Sequence, residues 1–301
     1  MAERIAAIDC GTNSVKILIG DYPDVLVRES RMVRLGQSID TTGMLGDDAL
    51  ARTFAAIDEY AALIRRYDVA RIRFCATSAT RDARNAQVFT DGVRERLGVT
   101  PEVLSGDEEA ALVFEGAMAH LREPVAAPVL VVDIGGGSTE LVLGDDHADA
   151  AVSMDIGAVR LHERHLHDDP PTGDQVAACL RDVDRHLDDC PVPVSEARSV
   201  IGTSGTIKTL AAGMLELPFY DRDAIDGARL GVAETQRYVE RLVAMTVAER
   251  LAAPTMHPGR ADVIGAGALI WSRVLARSGV ASYSVSEADI LYGIAGSLVE
   301  R

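Results

Sequence analysis

The sequence predicts an α/β protein made of two copies of one domain. A repeated segment, an alternation of strand and helix patterns, and a breaker-rich junction carry that prediction. Residues 7–21 read AIDCGTNSVKILIGD and residues 131–145 read VVDIGGGSTELVLGD. At a constant offset of 124, five of fifteen positions are identical: Asp9/Asp133, Gly11/Gly135, Ser14/Ser138, Gly20/Gly144 and Asp21/Asp145. Each copy is an apolar run ending in Asp, a turn of small residues, and a second apolar run, the pattern of a β-hairpin with an open loop. Single Asp-x-Gly turns are common. Two copies opening the two halves of one chain point to duplication, with one hairpin loop per lobe facing an interdomain cleft.

The elements follow in order. After the first hairpin, a third strand is expected at 25–35, a helix at 47–67 and a strand at 71–76. A mostly helical stretch covers 77–97, a short strand 102–104 and a helix 106–121. The second half repeats the theme, with a hairpin at 129–143, a strand at 151–155 and helices at 158–167 and 173–188. A strand at 199–201 runs through the turn 202–205 into a helix to 215. Helices at 233–245 and 259–278, a strand at 281–285 and a last helix at 288–298 complete it. Alternating strands and helices mean mixed α/β layers. The junction REPVAAP at 122–128 holds two prolines and sets expected domains at 1–123 and 124–301, the last helix returning to the first. Two domains of about 120–180 residues suit a 301-residue chain.

Composition narrows the class. With 48% hydrophobic and 25% charged residues, the chain is ordinary for a globular protein. No apolar run approaches the roughly 18 residues of a membrane span, and the N-terminus lacks a signal-peptide layout; the cytoplasm is the expected compartment. The four cysteines, Cys10, Cys75, Cys179 and Cys190, form no CxxC pair, which speaks against a disulfide framework or a zinc site. A net charge of −16 argues against nucleic-acid binding, which needs a basic footprint. Two of the 30 basic residues are lysines, Lys16 and Lys208, and both stand beside glycine-rich segments.

The strongest chemical signal is Asp133-Ile-Gly-Gly-Gly-Ser-Thr-Glu140. Gly135, Gly136 and Gly137 let backbone approach a ligand and aim several N–H groups one way, an anion nest to which Ser138 and Thr139 add hydroxyls. Asp133 and Glu140 flank it and are candidates for holding Mg²⁺ against phosphate oxygens. The first copy, with Gly11, Thr12, Asn13 and Ser14, supplies a facing cradle. Asp9 there is open between a metal-side carboxylate and a turn cap, and Lys16 between a phosphate contact and solvent. A third element, Gly202-Thr-Ser-Gly-Thr206, joins a strand to a helix. Ser204 and Gly205 are candidate phosphate contacts at that helix start, with plain N-capping by Ser204 or Thr206 as the alternative. Glu108 and Glu109 open another helix about 100° apart, so only one can face a cleft and serve as general base. Arg81 in ATSATRDARN offers a planar fork for phosphate, with Arg84 left to Asp82 or solvent. The run His162, His165 and His167 reads as a solvated surface.

Taken together, AAIDCGTNSVKIL, CATSATRDARN, LSGDEEAALVFEGA, VVDIGGGSTELVLG, DIGAVRL, IGTSGTIKTL and HPGRADVIGAGALIW resemble the exopolyphosphatase/guanosine-pentaphosphate phosphatase family over nearly the whole chain. The resemblance implies a duplicated actin/hexokinase-like (ribonuclease H-like, acetate-and-sugar-kinase/actin) domain pair and a Mg²⁺-dependent hydrolase. It places the water-activating glutamate at Glu109, the metal-associated carboxylates at Asp133 and Glu140, the phosphate loops at 11–14 and 135–139, and the arginine at Arg81. It further implies a homodimer. Lys16 stands where the family commonly has arginine, and the helical C-terminal extension of longer members is not expected here. The expected activity is hydrolysis of the terminal phosphoanhydride of inorganic polyphosphate, with short chains favoured by the acidic surface. Guanosine pentaphosphate (pppGpp) 5′-phosphohydrolysis is the alternative; a non-catalytic binder of polyphosphate or alarmone and an actin-like ATPase stand further off.

Overall fold

The computed structural model describes residues 3–299. The chain forms two compact units. One runs through Gly116 and takes the chain up again from Ile290; the other is Ala117–Asp289.

The first unit carries a five-stranded sheet built from β1 (Ile5–Cys10), β2 (Ser14–Asp21), β3 (Asp24–Met32), β4 (Arg71–Ala76) and β5 (Glu102–Val103), in the order β3-β2-β1-β4-β5. β1, β2 and β3 are antiparallel neighbours, while β4 and β5 add in parallel. Helices Asp47–Arg66 and Ala86–Leu97 pack on one face, where Phe89 stacks with Phe54 and meets Phe74 edge-on. The last helix, Ile290–Val299, lies against β1, β2 and β4.

The second unit repeats the order. β6 (Val129–Ile134), β7 (Thr139–Gly144), β8 (Ala148–Met154), β9 (Ser199–Gly202), β10 (Arg229–Gly231) and β11 (Ser282–Val285) form a sheet ordered β10-β11-β9-β6-β7-β8. Reading β8-β7-β6-β9-β11 reproduces the first sheet strand for strand, with the same antiparallel and parallel pairings. Three antiparallel strands extended by two parallel ones, made twice, is the duplicated actin/hexokinase-like fold. Its core gathers around Trp271, which meets Tyr283 edge-on at 4.9 Å.

The duplication reaches single hydrogen bonds. Gly11 N–H donates to Ser14 C=O and Gly135 N–H to Ser138 C=O, both at 2.9 Å; Gly36 N–H donates to Thr12 C=O and Arg160 N–H to Gly136 C=O. Both second strands shift register at the matching glycine, Gly20 and Gly144. There a Cβ would run into the carbonyl of Asp24 or His147.

Several expectations are corrected. The stretch 77–97 is two helices, Ser78–Asp82 and Ala86–Leu97, because Ala83 is extended between them. The helix expected from 259 starts at Ile264, since Pro258-Gly259 holds the chain in turns first. β10 is three residues long, too short for a periodic signal. His165 is not a solvated surface group: its Nε2 lies 2.8 Å from buried Asp182, which Arg164, Arg185 and His186 also surround. Burial pushes the Asp182 carboxyl up, yet these partners hold it below its ordinary value. All four cysteines are free thiols. No helix among the described residues is long and apolar enough to cross a membrane.

Two predictions follow from packing. Gly20→Ala and Gly144→Ala should each cost about 2 kcal/mol or more, because backbone must move to admit the methyl, whereas Gly46→Ala, with open space around it, should change little; urea unfolding midpoints check this. Burial pushes Cys75 and Cys179 up to about 12 and raises Cys10 and Cys190 as well, Cys190 being the most accessible. A chromogenic disulfide reagent at pH 8 should therefore find one slowly reacting native thiol, Cys190, and four after unfolding.

Candidate phosphate-binding and catalytic residues

In the second unit the turn between β6 and β7 is fixed from below. Ala158, Val159 and Arg160, which begin the helix Ala158–His165, donate their N–H groups to the carbonyls of Gly135 and Gly136, and Arg160 Nε donates to Gly137 C=O at 2.8 Å. Gly157 has to be glycine, since a Cβ there would meet the Gly136 backbone. With the turn's carbonyls engaged this way, no described protein acceptor takes the N–H of Gly136 or Gly137. Those donors lie in the turn for which the sequence leads one to expect an anion nest. Thr139 is turned inward, its hydroxyl donating to Ile156 C=O at 2.7 Å.

Asp133 and Glu140 stand directly opposite each other across β6 and β7, so both side chains occupy one face. Both are buried, at 7% and 2% exposure. Thr203 Oγ1 donates to Asp133 at 2.9 Å and Ser153 Oγ to Glu140 at 2.7 Å. Two buried carboxylates side by side repel and are costly to keep ionised unless a cation compensates. Mg²⁺ is characteristically held by one or two carboxylates plus substrate phosphate oxygens, so this donor set fits it. The residues do not make a self-sufficient cage: among the described residues no group of three or more His, Cys, Asp or Glu side chains is arranged for a metal.

The first unit has the same frame and different chemistry. Asp9 again faces its cross-strand partner, but that partner is Lys16, and the two form an ion pair at 3.0 Å. The position matched to Glu140 is thus a lysine, and the acid pair becomes a neutralised pair. Val33 and Arg34 N–H groups hold Asn13 C=O, and Thr12 Oγ1 lies 2.8 Å from Ser78 Oγ. Ser14 is buried at the start of β2.

Glu108 and Glu109 separate cleanly. Glu108 caps its own helix, Gly106–Met118: its carboxylate accepts from the Ser105 N–H and hydroxyl, while Ser105 Oγ accepts from Glu108 N–H. Those bonds hold its carboxyl below its ordinary value. Glu109 is buried and meets Arg81 Nη1 at 3.2 Å. Arg81 also donates to Leu104 C=O at 2.7 Å, which fixes the guanidinium, while Arg84 turns to Thr42 C=O.

The turn after β9 does not cap its helix by a hydroxyl. Thr203 is the N-cap but its hydroxyl makes no capping bond, and Ser204 has φ +71°. Ser204 Oγ instead accepts from Ile134 N–H at 3.3 Å and Thr206 Oγ1 donates to Ile134 C=O at 3.2 Å. Both hydroxyls pin this turn to the strand end that carries Asp133. A similar segment follows β4, where Thr77 N–H reaches Cys10 C=O; Thr203 N–H reaches Val132 C=O, two residues before the position matched to Cys10. The sequence holds this second repeat openly, ATSAT at 76–80 and GTSGT at 202–206, at an offset two residues from the first.

Two functional candidates have no such signal. The Arg260 guanidinium is packed against Gly205, in the electrostatic company of Tyr220, Glu287, Asp133 and Asp289, and burial lowers its pKa. Glu287 accepts from Tyr220 Oη at 2.7 Å, and Lys208, the second lysine, is buried against Asp289 at 3.0 Å. Arg260 lies 127 residues beyond Asp133, and only folding unites them.

The fold and the chain's relatives together define a phosphoanhydride hydrolase. The chain belongs to the Ppx/GppA phosphatase family, whose pattern matches residues 14–293. It is 44% identical to Exopolyphosphatase 2 of Mycobacterium tuberculosis over 98% of both chains. A crystal structure of an exopolyphosphatase-like protein superposes with a TM-score of 0.96 at 43% identity, covering 99% of each chain. An exopolyphosphatase from Cytophaga hutchinsonii superposes with a TM-score of 0.89 at 28% identity, covering 99% of this chain and 98% of that one.

Gly205→Ala tests Arg260 together with the turn it packs against. The added methyl meets the end of a flexible side chain rather than backbone, so thermal stability should hold within a few degrees. Phosphatase turnover should fall about tenfold or more as the guanidinium is displaced. An unchanged rate would separate Arg260 from the site.

Proposed function

We propose that the protein is an exopolyphosphatase that removes the terminal phosphate of inorganic polyphosphate, with Glu109 as general base and Mg²⁺ as cofactor. The observation that carries the reading is the division of labour in the acidic pair: Glu108 is consumed as a helix cap, while Glu109 is held inside the fold on Arg81. A capping glutamate explains itself. A buried glutamate locked onto an anchored arginine is positioned for chemistry.

The residues divide the work. Thr12, Asn13 and Ser14 in one unit, and Gly136, Gly137 and Ser138 in the other, supply backbone and hydroxyl donors to phosphate oxygens; Gly11, Gly135 and Thr139 hold those turns closed, and Ser204 and Gly205 hold the adjoining turn. Arg81 orients Glu109, which takes a proton from water as that water attacks the terminal phosphorus. Phosphoryl transfer depends mainly on positioning and charge stabilisation, which accords with a set of donors and carboxylates that includes no assigned nucleophile. Asp133 and Glu140 would hold Mg²⁺, which supplies positive charge to the phosphate oxygens. Asp9 and Lys16 belong to the same group of contacts, the lysine set by its ion pair.

Short chains suit this protein best. A net charge of −16 repels a long polyanion, while screening over about 8 Å leaves local donors in control of the last phosphates. The pppGpp reading rests on a different relative: a guanosine-5′-triphosphate,3′-diphosphate pyrophosphatase of Vibrio cholerae is 33% identical over 70% of this chain and 43% of its own length. A cytoplasmic homodimer completes the proposal.

Glu109→Gln should lower turnover by about 10² or more and leave KM near its wild-type value. Phosphate release from polyphosphates of defined length, from pppGpp and from ATP, measured side by side, ranks the substrates. Near-normal turnover in the glutamine variant would remove Glu109 from the role, and a rate on pppGpp exceeding that on every polyphosphate would replace the substrate.

A further inference from the structure

The second unit has a pocket of about 490 Å³ that none of the chemistry above uses. A strap of residues 120–126 forms one side of it, and the sheet face of β9, β10 and β11 forms the other. Arg229 of β10, Ser284 of β11 and Ile201 of β9 stand in one cross-strand row, and period two puts Ser282 and Ser199 on the same face. The alternate residues Leu230, Tyr283 and Val200 belong to the core beneath. The pocket thus lies on the polar side of the sheet, and its volume is that of a small-molecule site.

Its charges are unevenly matched. Arg122 on the strap is engaged by Asp226 at 2.6 Å, and Asp226 also accepts from the Glu287 N–H. Among the described residues the Arg229 side chain donates only to the Ser282 hydroxyl, at 2.9 Å. The Arg198 side chain, just before β9, has no hydrogen bond or ion pair among the described residues. Glu123 is the other carboxylate on the strap side. Two guanidiniums without carboxylate partners on one concave face are unusual in a chain of net charge −16. Planar guanidiniums take phosphate oxygens in bidentate fashion, and the serine hydroxyls beside them can donate as well.

We propose that this pocket binds a small phosphate-bearing anion, with Arg198 and Arg229 as its phosphate ligands. It is a second site. Ser199 pairs with Val129, at the opposite end of β6 from the glycine turn, about 17 Å along the strand at 3.3 Å per residue. The strap joins it to the junction between the units in sequence, so an occupied pocket would also tie Arg122 and its neighbours to the sheet.

Calorimetric titration of the full chain with pyrophosphate tests this. The wild type should bind one equivalent more than the Arg198→Ala/Arg229→Ala variant, or that equivalent should weaken at least tenfold. Arg198→Lys/Arg229→Lys should keep it within several-fold, because the charge remains. Polyphosphate turnover at saturating substrate should be unaltered in both variants, which separates this result from failure of the Glu109 assignment. In the wild type, pyrophosphate should protect Arg198 and Arg229 from phenylglyoxal, mapped by mass spectrometry, so the test survives a variant that does not fold. Guanosine 5′-diphosphate run in parallel distinguishes a nucleotide site from one that reads phosphate alone. Equal stoichiometry and affinity in wild type and alanine variant, or absence of protection, overturns the proposal.

Discussion

The constraint on which the rest of the structure depends is the closure of each hairpin turn by its own backbone. Once Gly135 N–H is bonded to Ser138 C=O, and the carbonyls beneath are taken by the start of the helix Ala158–His165, the remaining N–H groups have one direction to point. The turn cannot relax to satisfy them internally without losing those bonds. An anion is the natural partner of such an arrangement, and the cost of preparing it is met at folding rather than at binding. The first unit shows the same closure at Gly11 and Ser14, so both copies share the device.

Divergence then acted on side chains, not on the frame. Asp9 and Asp133 end equivalent strands and face equivalent partners, yet one partner is Lys16 and the other Glu140. A cross-strand Asp–Lys pair neutralises itself, whereas a cross-strand Asp–Glu pair leaves negative charge that only a cation or a nearby guanidinium can offset. One substitution in a duplicated hairpin therefore leaves the uncompensated acid pair in a single copy. Arg260 adds positive charge near Asp133, while Glu140 has Ser153 as a hydrogen-bond donor. The turn following β9 is drawn into the same assembly by two hydroxyls bonded to Ile134.

The glutamate pair shows a similar economy at smaller scale. Ser105 and Glu108 make a reciprocal cap, which sets where the helix Gly106–Met118 begins and therefore its rotation about its axis. The next residue is then turned about 100°, inward, onto Arg81. Arg81 is in turn fixed by Leu104 C=O, one residue before the cap. Cap, Glu109 and Arg81 are thus held by the six residues 104–109 and the short helix Ser78–Asp82.

Much of this was legible in the residues. Period-two runs ending in Asp-x-Gly located both hairpins, and helices such as Gly173–Asp188 and strands such as Arg71–Ala76 coincide with their periodic segments because a single local rule governs each. The helix boundary at Ile264 and the short β10 were not legible, since a proline-glycine turn and a three-residue edge strand leave no periodic trace. The sequence by itself determined the duplication, the composition of both turns and the presence of one inward glutamate in an adjacent pair, because all three are consequences of spacing along the chain. Only the tertiary structure decided that Lys16 neutralises Asp9, that Arg260 and Glu287 join the surroundings of Asp133, and that His165 serves Asp182. Those pairings unite residues tens to more than a hundred positions apart or on facing strands, and Coulomb forces and burial act on distance in space, which no local pattern records.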